Sequence, residues 1–401
     1  YFKKAGQKIV DLNNKAVDLG ISAAVKINIP AEWATAEDTP AAMPKNATPF
    51  VRDIVVPMDR QKGDKLPVSV FQKYGVLDGT WENGTSAYSK RGVATKVPQW
   101  NPNSCIQCNR CSMACPHAAI RPVLLSEEEK AAVPASFVTA PAKGLGNQKN
   151  YFFRMQVSPY DCLGCGVCQT VCPVNQNEKM DDALVMSPFE EQKSEQDNFD
   201  NIAMNEAYLK KEVINDKTIK NVQFAKPYFQ FSAAGCAETT YIKLISQLFG
   251  DHMYVGNAAG CSSAVSGGAP ILPYCKDCKG HGPAWEHSLF EDNAEFAYGF
   301  YLAQDAIRKE LLIRLENLKN AGSEPAVIGE YMEHWNDSEK SREVTDNLVK
   351  ALEQLPVNED IQYILTNKEY LAKKSVWAVG GDGWAYDIGF GGIDHVMAQN
   401  R

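Results

Sequence analysis

Two cysteine groups with one spacing constrain this chain more than any other feature. Cys105-x-x-Cys108-x-x-Cys111-x-x-x-Cys115-Pro116 is followed by Cys162-x-x-Cys165-x-x-Cys168-x-x-x-Cys172-Pro173. Three thiolates two residues apart wrap one iron–sulfur cluster corner by corner, while the fourth points away and ligates the other cluster. The pattern therefore assigns Cys105, Cys108, Cys111 and Cys172 to one 4Fe-4S cluster, and Cys162, Cys165, Cys168 and Cys115 to a second. Structural zinc takes cysteines in pairs and has no use for the third spacing. The proline after each fourth cysteine turns the chain back. Gly164 and Gly166 let backbone N–H groups approach the sulfurs and help set a reduction potential. His117 and Arg121 flank the first group, and the expectation for them is plain: a packing or surface histidine and a solvated arginine.

The rest of the composition agrees with a globular electron carrier. A chain of 401 residues suggests two to four domains, and 44% hydrophobic residues can build a core. No apolar run reaches the roughly eighteen residues of a membrane span, and no secretory start is present. The chain begins at Tyr1, so a processed or partial polypeptide is expected. With 41 basic and 49 acidic residues the net charge is −8, which argues against a nucleic-acid surface. Of the 12 cysteines most fall in the two groups, which points to metal in a reducing, oxygen-poor compartment instead of disulfides.

Along the chain, a helix over residues 7–19 and an extended run over 24–29 read as a helix returning to a strand of a parallel sheet. A Pro- and Ala-rich linker follows. Residues 45–97 show little helical periodicity, and Asp78-Gly79 and Asn83-Gly84 signal turns, so a small domain or covering arm is expected. After the cysteine groups and a charged segment over 190–220, short apolar runs at 228–231, 253–255 and 376–379 alternate with helical tracts at 239–249 and 294–321. That alternation predicts a mostly parallel sheet.

Three strand-to-helix turns carry further chemistry: Gly235-Cys236-Ala237-Glu238-Thr239, Gly260-Cys261-Ser262-Ser263, and Gly380-Gly381-Asp382-Gly383 after the strand Val376-Trp377-Ala378-Val379. Such turns line one edge of an α/β sheet, where ligands bind, and glycines there admit a close phosphate. A carboxylate in the last turn can hold a divalent ion on a diphosphate. Together with Gly282-Pro283-Ala284-Trp285, the run Ser288–Asn293 and Gly-Asp-Gly-Trp-Ala-Tyr-Asp-Ile-Gly, these motifs resemble, in order and over essentially the whole chain, pyruvate:ferredoxin (flavodoxin) oxidoreductase.

The resemblance implies a multidomain α/β chain. Residues 1–44 end a coenzyme A-associated α/β domain, and 45–97 are a small linker domain with a Lys90-Arg91 element. Residues 98–200 are a two-cluster bacterial-type ferredoxin domain (α+β), inserted before 201–401, the N-terminal part of a parallel-sheet thiamine diphosphate-binding domain. It implies oxidative decarboxylation of pyruvate to acetyl-CoA and CO2, with coenzyme A as co-substrate and ferredoxin or flavodoxin taking electrons. By motif match Glu238 is catalytic. Gly260, Cys261, Ser262, Gly381, Asp382 and Gly383 flank the cofactor, and Asp382 holds Mg²⁺. Cys236 and Cys261 ligate a third, proximal cluster. A homodimer in the cytoplasm, or in a hydrogenosome or similar anaerobic organelle, is expected, with remaining domains or subunits completing the enzyme.

The sequence departs from that family in three places. Ser89 stands where glutamate is usual before Lys90. The first cysteine ahead of Glu238-Thr239 is missing, while a pair, Cys275-x-x-Cys278, is new. Cys275 and Cys278 either complete the proximal cluster or form a surface or zinc pair. The family's glutamate-donating N-terminal domain and later metal ligands are outside the chain, so part of a larger polypeptide, or one subunit of several, is expected. A second reading stays open: an electron-carrier or assembly subunit that keeps the thiamine fold without its chemistry.

Overall fold

The computed structural model describes residues 4, 6–37, 42–143, 150–208, 225–232, 237–267, 270–288 and 292–400. The chain divides into two compact units, Tyr1–Met43 and Pro44–Arg401. In the first unit a helix spans Gln7–Ser22, as the periodicity predicts. The expected strand over 24–29 does not form among the described residues; Val25 and Ile27 are 82% and 81% exposed. Pairing is what holds a strand, and no described segment of this unit offers a partner.

In the second unit, residues 45–97 hold more helix than their sequence suggests. Short turns of helix at Val51–Val55, Val56–Asp59 and Val68–Lys73 gather around buried Phe50, Val51 and Ile54, with Tyr74 and Trp81 edge-on to the Phe50 ring. One- and two-turn helices are too short to show a 3.6-residue period. The turn signals hold: the Thr80 N–H donates to Asp78 Oδ1 at 3.0 Å, and Gly84 sits at φ 77°.

The cysteine groups occupy an antiparallel α+β arrangement with internal symmetry. Strand β1 (Lys96–Trp100) leads into the first group, which carries a short helix, Arg110–Ala114, and leaves through β2 (Ile120–Leu125). After a two-residue β3 (Ala140–Pro141), β4 (Phe152–Val157) enters the second group, with its helix Val167–Thr170, and β5 (Leu184–Pro188) leaves it. β1 pairs with β5 and β2 with β4, so each half's entry strand lies on the other half's exit strand. This pairing is what carries the fourth cysteine of each group toward its neighbour.

The last region is a parallel sheet in the order β7-β6-β8: β6 (Met253–Ala258) in the centre, β7 (Ala284–Ser288) and β8 (Ser375–Val379) on either side. The apolar run 228–231 is not a strand: Phe229 makes a single antiparallel bridge to Tyr274, and Arg121 takes the Phe229 carbonyl that a ladder would use. β7 carries little local strand signal, because Ala-Trp-Glu-His-Ser has no β-branched residue. Helix Asn293–Asn320 covers the sheet and then packs with Pro325–His334, Ser341–Leu352 and Glu359–Thr366 around Leu311, Leu315, Ile328 and Leu348. No described helix is long and apolar enough to cross a membrane.

Candidate functional site

Both cysteine loops have the same backbone. Gln107 and Asn109 have φ of 60° and 58°, matched by Gly164 and Gly166 at 68° and 74°. These left-handed residues turn amides inward: the Gln107 N–H donates to Cys105 Sγ, and the Gly164 N–H to Cys162 Sγ, each at 3.3 Å. Glycine is required at 164 for a second reason, because a Cβ there would stand 2.7 Å from the Lys96 carbonyl oxygen. Gln107 uses its side chain instead, holding Pro141 O and Lys143 N.

Cys105, Cys108, Cys111 and Cys172 line one cavity with Ile106, Val174 and Leu184. Cys115, Cys162, Cys165 and Cys168 line another with Leu163 and Val167. Burial pushes the Cys105 and Cys115 thiols up, Cys111 well up, Cys162 to about 12 and Cys168 further still. Thiolates in such apolar walls call for positive charge close by, which iron provides. Among the described residues no three His, Cys, Asp or Glu side chains close around a single ion.

Buried charge surrounds these loops. Arg121 was expected to be solvated, but β2 is buried along its whole length and the guanidinium is fully enclosed. It donates to the carbonyls of Ala118, Lys226 and Phe229, and burial pushes it down to about 10. His117 is buried, with Nδ1 3.0 Å from the Asp161 carbonyl and the Phe231 ring edge-on; burial pushes it down, as a packing role requires. Asp161, next to Cys162, is the residue the sequence did not single out. Its Oδ2 accepts from Lys90 Nζ at 2.7 Å, Ser158 Oγ and Gln230 Nε2. Arg91 meanwhile pairs with Asp59. The Lys90-Arg91 element therefore ties the 45–97 arm to the second cysteine loop. A carboxylate directly ahead of the first cysteine of the second group was the available signal.

A second buried cation comes from the helix Ala237–Phe249. Its buried positions, Thr239, Ile242, Lys243, Ser246 and Gln247, follow the i, i+3, i+4, i+7 stripe, so Lys243 points inward. Lys243 Nζ donates to the carbonyls of Ser112 at 2.5 Å and Met113 at 3.1 Å. Burial pushes the ammonium down to about 8, opposed by the Cys115 and Cys111 thiolates.

The N-terminal turn of the same helix reaches the C-terminal edge of the parallel sheet. β6 and β8 run side by side, with Asn257 opposite Val379, so the turns after them are neighbours. A Cβ on Gly380 would stand 2.9 Å from Ala258 Cβ. Because β7 and β8 lie on opposite sides of β6, this edge is a switch point of the kind where α/β sheets bind ligands. Gly260, at φ 146°, makes the sharp turn into helix Cys261–Ser266; buried Ser262 accepts from Asn257 Nδ2 at 3.1 Å.

Glu238 lies against the glycine turn. A Cβ on Gly381 would stand 2.6 Å from its Oε1, and its buried Oε2 has no hydrogen-bond partner among the described residues. Burial raises the Glu238 carboxyl, and Asp382 raises it further. Asp382 itself is exposed at this edge. An orphaned acid oxygen, a glycine cradle and a second carboxylate fit a phosphate-bearing ligand with a divalent ion. Cys261 is exposed in the first turn after Gly260. Cys275 is buried, with its Sγ 3.2 Å from where a Gly84 Cβ would be, and Cys278 is exposed with its N–H on Glu206. Cys236 lies outside the described residues.

Comparison with known proteins adds two domain matches: a domain of unknown function, EKR, over residues 36–94, and a 4Fe-4S dicluster domain over 104–176. The chain is 45% identical to the pyruvate-flavodoxin oxidoreductase of Enterobacter agglomerans and 44% identical to the pyruvate:ferredoxin oxidoreductase of Moorella thermoacetica. Each match covers 99% of this chain and 34% of the relative. It is 38% identical to the mitochondrial pyruvate dehydrogenase [NADP(+)] of Euglena gracilis over 100% of its length, and 22% of that protein. The chain thus spans about a third of the length of the first two relatives.

Proposed function

Over its whole length this chain is homologous to one portion of the pyruvate-flavodoxin and pyruvate:ferredoxin oxidoreductases, and on that premise we propose that it is the electron-relay and thiamine-site portion of an enzyme that oxidises pyruvate to acetyl-CoA and CO2. The observation that carries the reading is the pair of cavities, each lined by three cysteines of one group and the fourth of the other. Cys105, Cys108, Cys111 and Cys172 hold one 4Fe-4S cluster; Cys162, Cys165, Cys168 and Cys115 hold the second. Such clusters store and pass single electrons. Their partner is ferredoxin or flavodoxin, in the cytoplasm or an anaerobic organelle.

At the sheet edge, Asp382 would hold Mg²⁺, and the Gly380–Gly383 and Gly260-Cys261-Ser262 turns would admit a diphosphate. Thiamine diphosphate, when bound, supplies carbanion stabilisation next to a 2-oxo acid's carbonyl. Glu238, raised by burial and by Asp382, keeps a proton at higher pH than an ordinary glutamate, and its carboxyl would hold that proton beside the Gly381-Asp382 turn. Coenzyme A and the domains that bind it complete the reaction. Residues 1–44 then belong to the coenzyme A-associated domain, 98–200 to the ferredoxin insert and 201–401 to the thiamine domain, in a homodimeric enzyme.

Two measurements test this. Thiamine diphosphate with Mg²⁺ raises the melting temperature of the chain; at a hundredfold excess over Kd the stabilisation is about 2.7 kcal/mol. Asp382→Ala abolishes that rise, and an unchanged rise overturns the metal assignment. Iron and sulfide counting addresses the proximal cluster: twelve irons per chain (three clusters of four,) support one on Cys236, Cys261, Cys275 and Cys278, and about eight remove it.

A further inference from the structure

Lys243 is a buried cation that neither the cluster ligation nor the sheet-edge chemistry uses. It is fully enclosed, and an apolar side chain would fill the same stripe of helix Ala237–Phe249 without the cost of burying charge. Its ammonium donates to the carbonyls of Ser112 and Met113, which lie between Cys111 and Cys115. Cys111 lines one cavity and Cys115 the other. The ammonium is therefore held on the stretch of chain that links the two thiol sets.

We propose that Lys243 is a positioning residue for electron relay: its ammonium, pinned between the two sets of thiols, holds the reduction potentials of both clusters up. Reduction adds one negative charge to a cluster, and a nearby cation stabilises the reduced form more than the oxidised one. Net charge and outer hydrogen bonds are the protein's means of setting such a potential. Arg121 and Asp161 also face this region, but they belong to the dicluster fold itself. Lys243 is different in arriving from the helix whose first turn bears Glu238, so the element that borders the sheet edge also sets the potential of the electron relay.

The inference rests on the cluster reading above, and the test separates the two. The full chain, prepared anaerobically, is titrated with redox mediators while its cluster paramagnetic signals are followed. Lys243→Gln drops the charge and keeps a donor for the two carbonyls. At the wild-type midpoint its oxidised-to-reduced ratio rises about tenfold, a fall of about 59 mV for a one-electron couple. Lys243→Arg, which keeps the charge, stays close to wild type. Unchanged potentials in Lys243→Gln with full iron content overturn this inference alone, whereas wild-type chain without iron removes the cluster reading beneath it. If Lys243→Gln fails to assemble, Lys243→Met is titrated in its place. Loss of iron from both overturns the proposal, because the lysine then holds the fold and not the potential.

Discussion

Gly164 meets two demands at once, a left-handed φ of 68° and a close approach to the Lys96 carbonyl. Gly164→Ala carries about 1–2 kcal/mol of backbone strain and a clash that β1 must move to relieve. The variant is expected to melt earlier and to lose iron from the second loop first, as iron counting with thermal unfolding will register. At Glu238 the issue is protonation. Its carboxyl is raised above the ordinary 4.5, so the folded chain takes up this proton at a higher pH than the unfolded chain. Its contribution to stability is present at low pH and is lost as pH rises from near 4.5 through the raised value. Glu238→Gln removes that loss, so its urea midpoint should match wild type in acid and exceed it near neutrality. Equal midpoints across the range would contradict the assignment. The acid and the glycine turn were both visible in the sequence; their contact was not, because it depends on which strands become neighbours.

The arm over residues 83–92 is held by partners far along the chain. Thr85 Oγ1 donates to Pro270 O and accepts from Leu272 N, Asn83 donates to Pro283 O, and Lys90 pairs with buried Asp161. Lys90→Met leaves that carboxylate without its cation, a loss of about 3–5 kcal/mol. Adding Asp161→Asn should recover much of it, which a double-mutant cycle of melting curves will measure. In the helical layer, Leu315 is fully buried among Leu311, Ile328 and Leu348; Leu315→Ala should cost about 2–5 kcal/mol. Elements with a strong local signal were legible in advance: the long helix after Asp292, the helix after Cys236, and strands β6 and β8. Local pattern misled where tertiary partners decide. The 24–29 run has no described partner, the 228–231 run gives a carbonyl to Arg121, and β7 becomes a strand only by lying on β6. Asp161 and Lys243 escaped notice for the same reason, since a charged residue shows its burial only when the fold surrounds it.

Across the whole second unit, the symmetric cysteine loops and the sheet edge are joined by one helix and one arm. Helix Ala237–Phe249 places Glu238 at the edge and Lys243 on the first loop, and the Lys90 arm braces the second loop. Everything in this arrangement depends on the crossed ligation of two clusters, and Cys172 tests it best because it is remote in sequence from the cavity it lines. Iron and sulfide are counted in the anaerobically prepared chain and in Cys172→Ala, with paramagnetic spectra of both after reduction. The account predicts at least eight irons in the unaltered chain (two clusters of four,) and, in the variant, loss of the cluster held by Cys105, Cys108 and Cys111 while that of Cys162, Cys165 and Cys168 survives. Zinc in place of iron, or loss of the Cys162 cluster instead, would contradict it.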